Sequence, residues 1–244
     1  RIIAQVVYYF KGYFSSTNTS NEAIDVTVPS GNFGNICAGH ISRMMGLPIR
    51  KLVVATNENN VLDEFFKTGV YKPRTSDDTY HTSSPSMDIS KASNFERFIF
   101  DLIERNPDEL RSLWKKIDQG ESFDLSNTGF FGKVSNYGFT SSSSSHQNRL
   151  HFIKLLHKKY NLIIDTHTAD GFKAAFDHFD QTEAIPMVVL ESALQTKFEE
   201  TVMEAIKMKP PRPDGLSNIE QLPQKSFEVD NDINQVKQFI ESHS

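Results

Sequence analysis

Two β-branched apolar runs, each followed by a segment with helical spacing, constrain this chain more than any other feature of it. The first, IDVTVP (residues 24–29), breaks at Pro29, passes through Ser30, Gly31, Asn32, Phe33, Gly34 and Asn35, and enters a helical pattern over 36–45 that stops at Gly46. The second, RKLVVAT (50–56), leads into NNVLDEFFKTG (59–69), a helix closed by glycine. Strand, helix, strand, helix in this order predicts parallel pairing through right-handed crossovers. The expected fold is α/β, an open, mostly parallel sheet with flanking helices. A third strand and helix follow in AIPMVVLESALQTKFEETVMEAI (184–206), after a strand-like, turn and helix order in NLIIDTHTADGFKAAF (161–176).

Between these parts the chain changes character. Residues 71–88 (YKPRTSDDTYHTSSPSMD) form a long polar loop of the kind that often carries function. Phe95, Phe98, Ile99, Leu102 and Ile103 share one helical face, and Pro107 opens a second helix bearing Leu110, Leu113, Trp114 and Ile117. These predict a small helical subdomain over 91–160. The five serines from Ser141 inside it read as a flexible surface loop. The domain plan is therefore 1–90 as part of an α/β domain with a loop at 29–35, a helical insertion over 91–160, a return to the α/β domain over 161–208, and a carboxy-terminal extension over 209–244. At the amino end, Ile3, Val6, Val7, Phe10 and Phe14 mark a helical face that starts at once, with neither an initiator Met nor a capping residue before it. The expectation is a chain cut inside a helix, continuing upstream.

Charge and cysteine content narrow the function classes. With 26 Lys and Arg against 31 Asp and Glu the net charge is −5, which gives no global attraction for nucleic acid or anionic lipid. One cysteine, Cys37, excludes an internal disulfide and a multi-cysteine zinc site. No apolar run has the length of a membrane span and no signal-peptide order opens the chain, so a cytoplasmic location is expected.

The loop after the first strand is the leading candidate site. It sets free backbone N–H groups at the positive end of a helix, where an anion such as phosphate is favoured. Its glycines permit close approach, and Ser30, Asn32 and Asn35 offer further hydrogen bonds. The spacing matches neither the Gly-x-Gly-x-x-Gly dinucleotide loop nor a Walker loop, and a ligand-free turn fits the pattern equally well. Asp165, His167 and Asp170 read as a hydrogen-bonded turn and helix cap rather than metal ligands, and no metal is expected. His146, His151 and His157 share no helical face and read as surface residues. Ser192 stands at the end of an apolar strand, where it either caps the next helix or faces a ligand.

The segments VPSGNFGN, LVVATNENNVLDEFFKTG, SSPSMDISKASNFERFIFDL, DTHTADG and LESALQTKF resemble, in order and separation, the carboxy-terminal half of threonine synthase of the bacterial and fungal type, from Arg1 to about Lys207. That family consists of fold type II pyridoxal 5'-phosphate (PLP) enzymes related to the tryptophan synthase β subunit. The resemblance implies a lyase converting O-phospho-L-homoserine and water to L-threonine and phosphate, with Gly31, Asn32, Phe33, Gly34 and Asn35 around the cofactor phosphate. It implies Ser192 at the pyridine nitrogen, and a substrate-side role for Ser83, Ser84, Ser86 and Asp88. Gln195, Thr196 and Thr166 depart from the family pattern. No Ser-Phe-Lys-Asp segment, which carries the family's Schiff-base lysine, occurs in the 244 residues. The catalytic lysine and an amino-terminal half are therefore expected upstream, as partner to this chain. Two other readings stand beside this one: an inactive half-protein that binds a phosphorylated ligand or a partner chain, and an interaction module built on residues 91–160.

Overall fold

The computed structural model describes residues 1–179 and 184–243 and divides the chain into two units, Arg1–Pro210 and a second beginning at Pro211. The first unit opens with α1 (Ile2–Ser16), β1 (Ile24–Pro29), α2 (Gly34–Met44), β2 (Ile49–Thr56), α3 (Val61–Thr68) and β3 (Val70–Tyr71). It continues with α4 (Phe95–Leu102), α5 (Pro107–Asp118), β4 (Phe123–Asp124), β5 (Phe139–Ser143), α6 (His146–Tyr160), α7 (Thr166–His178), β6 (Met187–Val189) and α8 (Glu199–Ile206). The second unit contains α9 (Ile233–His243), where the Phe227, Phe239 and His243 rings cluster.

The main sheet runs β5-β2-β1-β6, and every pairing in it is parallel, as the alternation of strands and helices predicts. Its two faces are sorted by the period-two alternation of strand side chains. Val26, Val28, Leu52 and Val54 join the large core with α1, α2, α3 and α4. Val53 and Ala55 turn the other way and meet Ala174 of α7. Gly46 and Gly69 end α2 and α3 with positive φ, +102° and +79°, a conformation that a side chain would strain.

Three expectations change. The serine run is not a surface loop: residues 139–143 form β5, paired with β2. The hydroxyls make this possible because α7 presents partners to them, with Ser142 on Asp177 and Lys173 (2.9 Å) and Ser144 on Asp170. A strand thus lies within the stretch expected to be helical. On α1, the buried face is Val6, Tyr9 and Tyr13, while Ile3, Val7 and Phe14 are 84%, 62% and 68% exposed. The buried tyrosine hydroxyls both find an acceptor, Tyr9 on Asn35 O at 2.8 Å and Tyr13 on Glu22 O at 2.9 Å. Residues 161–165 carry no strand, while Asp165 caps α7, as expected, by accepting from the His167 N–H at 2.8 Å. No helix is long and apolar enough to cross a membrane among the described residues.

Candidate functional site

The order of the sheet decides where a site can form. From β1 the chain crosses through α2 to β2 on one side, while β6 joins β1 on the other. The loops leaving β1 and β6 therefore separate at their carboxyl ends and leave a crevice, the usual ligand position in an open parallel sheet. A cavity of about 420 Å³ occupies this crevice, lined by residues 29–35, Ser86, Met87, Ser93, Asn94, His167, Ser192, Ala193 and Lys197, with Ile2 and Gln5 from α1 and Arg1 just before it.

The 29–35 loop is held from several directions. Ser30 N–H donates to Ala55 O at 2.8 Å, and its hydroxyl donates back to Val28 O at 2.9 Å. Asn32 O accepts from Asn94 N–H and Nδ2, at 3.2 and 3.1 Å, and Asn32 Oδ1 accepts from Ser93 N–H at 3.2 Å. Phe33 sits in the left-handed region at φ +62°. That conformation costs a non-glycine residue about 1–2 kcal/mol. Burial of its ring among Phe66, Phe95, Phe98 and Phe139 offsets this by roughly 1.5–3 kcal/mol. The ring thus anchors the turn from behind while the backbone faces the cavity. Cys37 N–H, bonded to Phe33 O at 2.9 Å, closes the first turn of α2. The amides of Gly34, Asn35 and Ile36 precede it, where a helix has no acceptor of its own to offer.

The opposite wall is the 3₁₀ turn at Pro85–Met87. A Cβ at Gly31 would stand 2.9 Å from Met87 Cα and 3.2 Å from Ser86 O, so glycine is required for the two backbones to approach this closely. Ser86 N–H donates to His167 Nε2 at 3.1 Å, which leaves the ring proton on Nδ1, 2.9 Å from Asp165 Oδ1. Both His167 nitrogens are thereby engaged, and the Phe198 ring packs edge-on against the imidazole. Glu191, nearby, has its carboxyl pushed upward by burial and by the charge of Asp165.

Of the sequence-derived site residues, Gly31, Asn32, Phe33, Gly34, Asn35, Ser86 and Ser192 line this one cavity. Ser83, Ser84 and Asp88 do not line it. Asn57 Nδ2 donates to Asp88 Oδ1 at 2.8 Å and to Ser84 O at 3.3 Å, and Asp88 also accepts from Thr82 N–H at 2.8 Å. They fasten the 82–88 loop to the loop after β2. Sequence reasoning missed Ser93, Asn94, His167 and Lys197 as lining residues. The segments DTHTADG and LESALQTKF contain the last two, but nothing local to them indicates which side chains turn inward.

The family described as "Threonine synthase, C-terminal" matches residues 168–240. The chain is 60% identical to the threonine synthase of Methylobacillus glycogenes over 243 residues, covering 100% of this chain and 51% of that protein. It is 48% identical to that of Corynebacterium glutamicum, covering 98% and 50% respectively. The crystal structure of PLP-bound threonine synthase from Brucella melitensis matches with a TM-score of 0.89 at 33% identity, over 100% of this chain and 51% of that one. The chain spans about half the length of the relatives it matches.

Proposed function

The chain belongs to the threonine synthase family, matching its carboxy-terminal half, and from this premise we propose that it supplies part of the active site that converts O-phospho-L-homoserine and water to L-threonine and phosphate with PLP as cofactor. The observation that carries the reading is the cavity that joins residues 31–35 to Ser192, about 160 positions later in sequence. Its volume of about 420 Å³ lies within the range of small-ligand sites. Among the described residues, Lys197 and Arg1 line it and no carboxylate does, so it suits an anionic ligand.

In this reading Gly31, Asn32, Phe33, Gly34 and Asn35 hold the cofactor phosphate through backbone N–H groups and the positive end of α2. Ser192 offers a neutral hydroxyl to the pyridine nitrogen, which, unlike a carboxylate, does not require that nitrogen to be protonated. When bound, PLP supplies electron withdrawal from the carbon atoms of an attached amino acid. Ser86 forms the wall on the substrate side, and Ser83, Ser84 and Asp88 keep that wall in place. Residues 1–90 and 139–208, which include all four strands of the main sheet, form the cofactor layer, 91–138 an insertion and 209–244 an extension. The family's lysine-bearing segment is not among these 244 residues, so this chain's share is binding, orientation and exclusion of water. The expected compartment is the cytoplasm, which the single, buried Cys37 supports.

The test is Ser192→Ala in the protein of full family length. The visible absorbance of bound PLP and the turnover should change while affinity for PLP stays within about threefold, because the phosphate contacts are untouched. An unchanged spectrum and turnover would remove Ser192 from the site. Failure of the unsubstituted protein to take up PLP would remove the cofactor reading and favour a phosphorylated ligand held without PLP chemistry.

A further inference from the structure

Behind the Ser86–Met87 wall lies a buried ion cluster that the function above leaves unused. Arg149, on the first turn of α6, is 0% exposed. Its Nη2 donates to Glu58 Oε1 and Oε2 at 2.8 and 3.0 Å, its Nη1 to Asp170 Oδ1 at 3.1 Å, and its Nε to Ser83 Oγ at 2.7 Å. Ser83 Oγ, having accepted from Arg149, directs its own proton to His146 Nδ1 at 2.7 Å. One planar guanidinium thus ties together the loop after β2, the 82–88 loop, α6 and α7. An ammonium has no such fork and cannot reach three separated acceptors at once.

α7 provides two anchors for the same short segment. His167 accepts from Ser86 N–H at 3.1 Å, and Asp170, one helical turn further on, acts through Arg149 on Ser83. Ser83 and Ser86 bracket Pro85, and Met87 follows at the Gly31 contact. Loss of the Ser83 anchor would loosen the leading end of the wall, leaving it on the Asn57 contacts to Ser84 and Asp88 while Ser86 stays bonded to His167.

We propose that Arg149, acting through Ser83, is a positioning residue that sets the cavity wall at Ser86–Met87 and thereby the affinity for substrate rather than for cofactor. The inference deepens the threonine synthase reading and rests on it for the identity of the substrate.

The experiment compares Ser83→Ala and Arg149→Lys with the unsubstituted full-length protein. It measures hydrogen–deuterium exchange over peptides covering 83–90 and 166–178, PLP affinity by absorbance, and KM and kcat for O-phospho-L-homoserine. Exchange over 83–90 should rise at least fivefold in both variants while 166–178 stays protected. KM should rise threefold or more, exceeding any fall in kcat, with PLP affinity within twofold. Ser83→Ala removes a single hydroxyl, so it keeps the test decisive if Arg149→Lys fails to fold. Unchanged exchange over 83–90 in Ser83→Ala would overturn the positioning role whatever the enzyme does. Raised exchange with an unchanged KM would overturn the link to substrate. Absence of PLP binding in the unsubstituted protein would strike the functional reading instead, and the exchange data would still decide the role of Arg149.

Discussion

Replacing Gly31 by alanine introduces one methyl group at the closest backbone approach in the site. The new Cβ would lie 2.9 Å from Met87 Cα, 3.2 Å from Ser86 O and 3.3 Å from Ile89 Cδ1. Carbon atoms prefer about 3.5–4.0 Å, so the first contact is short by roughly 0.6–1.1 Å. The two nearest neighbours are backbone atoms of a turn that is itself bonded to His167, so movement of the Ile89 side chain alone does not relieve the closest contact. Overpacking of this kind costs about 1–3 kcal/mol, and the rigid neighbours place Gly31→Ala in the middle or upper part of that range. About 2 kcal/mol corresponds to a factor of roughly 30 in the folding equilibrium. Gly34→Ala is the matched control, because its nearest neighbour is a side-chain tip, the Asn94 amide at 3.3 Å, and even if that amide gives up its bond to Asn32 O the Asn94 N–H still holds the same oxygen. Its cost should stay below about 1 kcal/mol. Urea denaturation of both variants in the full-length protein, together with PLP titration, measures the difference. Equal midpoints and equal PLP affinities for the two variants would refute the argument that the loop and the 85–87 turn are in obligatory contact.

Two predictions concern titration. Burial pushes the Cys37 thiol up to about 11, so near pH 8 only about one molecule in a thousand carries the reactive thiolate. Iodoacetamide should label the Cys37 peptide slowly in the native protein and quickly in urea, and rapid native labelling would contradict its burial on the inner face of α2. Asp170 is raised to about 6 by burial, which outweighs the opposing pull of Arg149. Since an unfolded aspartate titrates near 3.9, the unfolded chain releases this proton first as pH rises. The stability contributed by the group is therefore full below about pH 4 and declines as pH rises to about 6. Subtracting the pH profile of Asp170→Asn from that of the unsubstituted protein in urea denaturation should expose this decline, and parallel profiles would refute it.

The elements most legible in the chain are those whose causes are local. β1, α2, β2 and α3 follow from alternating apolar residues and from Gly46 and Gly69, all within about 45 residues of each other. The 29–35 loop was legible for the same reason, since a strand, a break and a helix start are consecutive. The serine run misled because composition describes a side chain's preference for water and not the carboxylates and lysine that α7 brings to it. On α1 the face buried within this chain carries Tyr9 and Tyr13 beside Val6, and periodicity did not mark the tyrosines because their hydroxyls need the acceptors that Asn35 and Glu22 supply.

Periodicity and glycine stops were sufficient to establish a parallel α/β sheet, and the loop chemistry to single out residues 29–35 at the end of its first strand. They act between neighbours in the chain, where covalent connection already sets the distance. The wall against that loop, the turn of His167 and Ser192 toward the same cavity, and the burial of Arg149 depend on segments up to about 160 residues apart meeting across the sheet. Those arrangements arise from hydrogen bonds and packing between groups that the linear order keeps separate, so they exist only once the sheet has assembled.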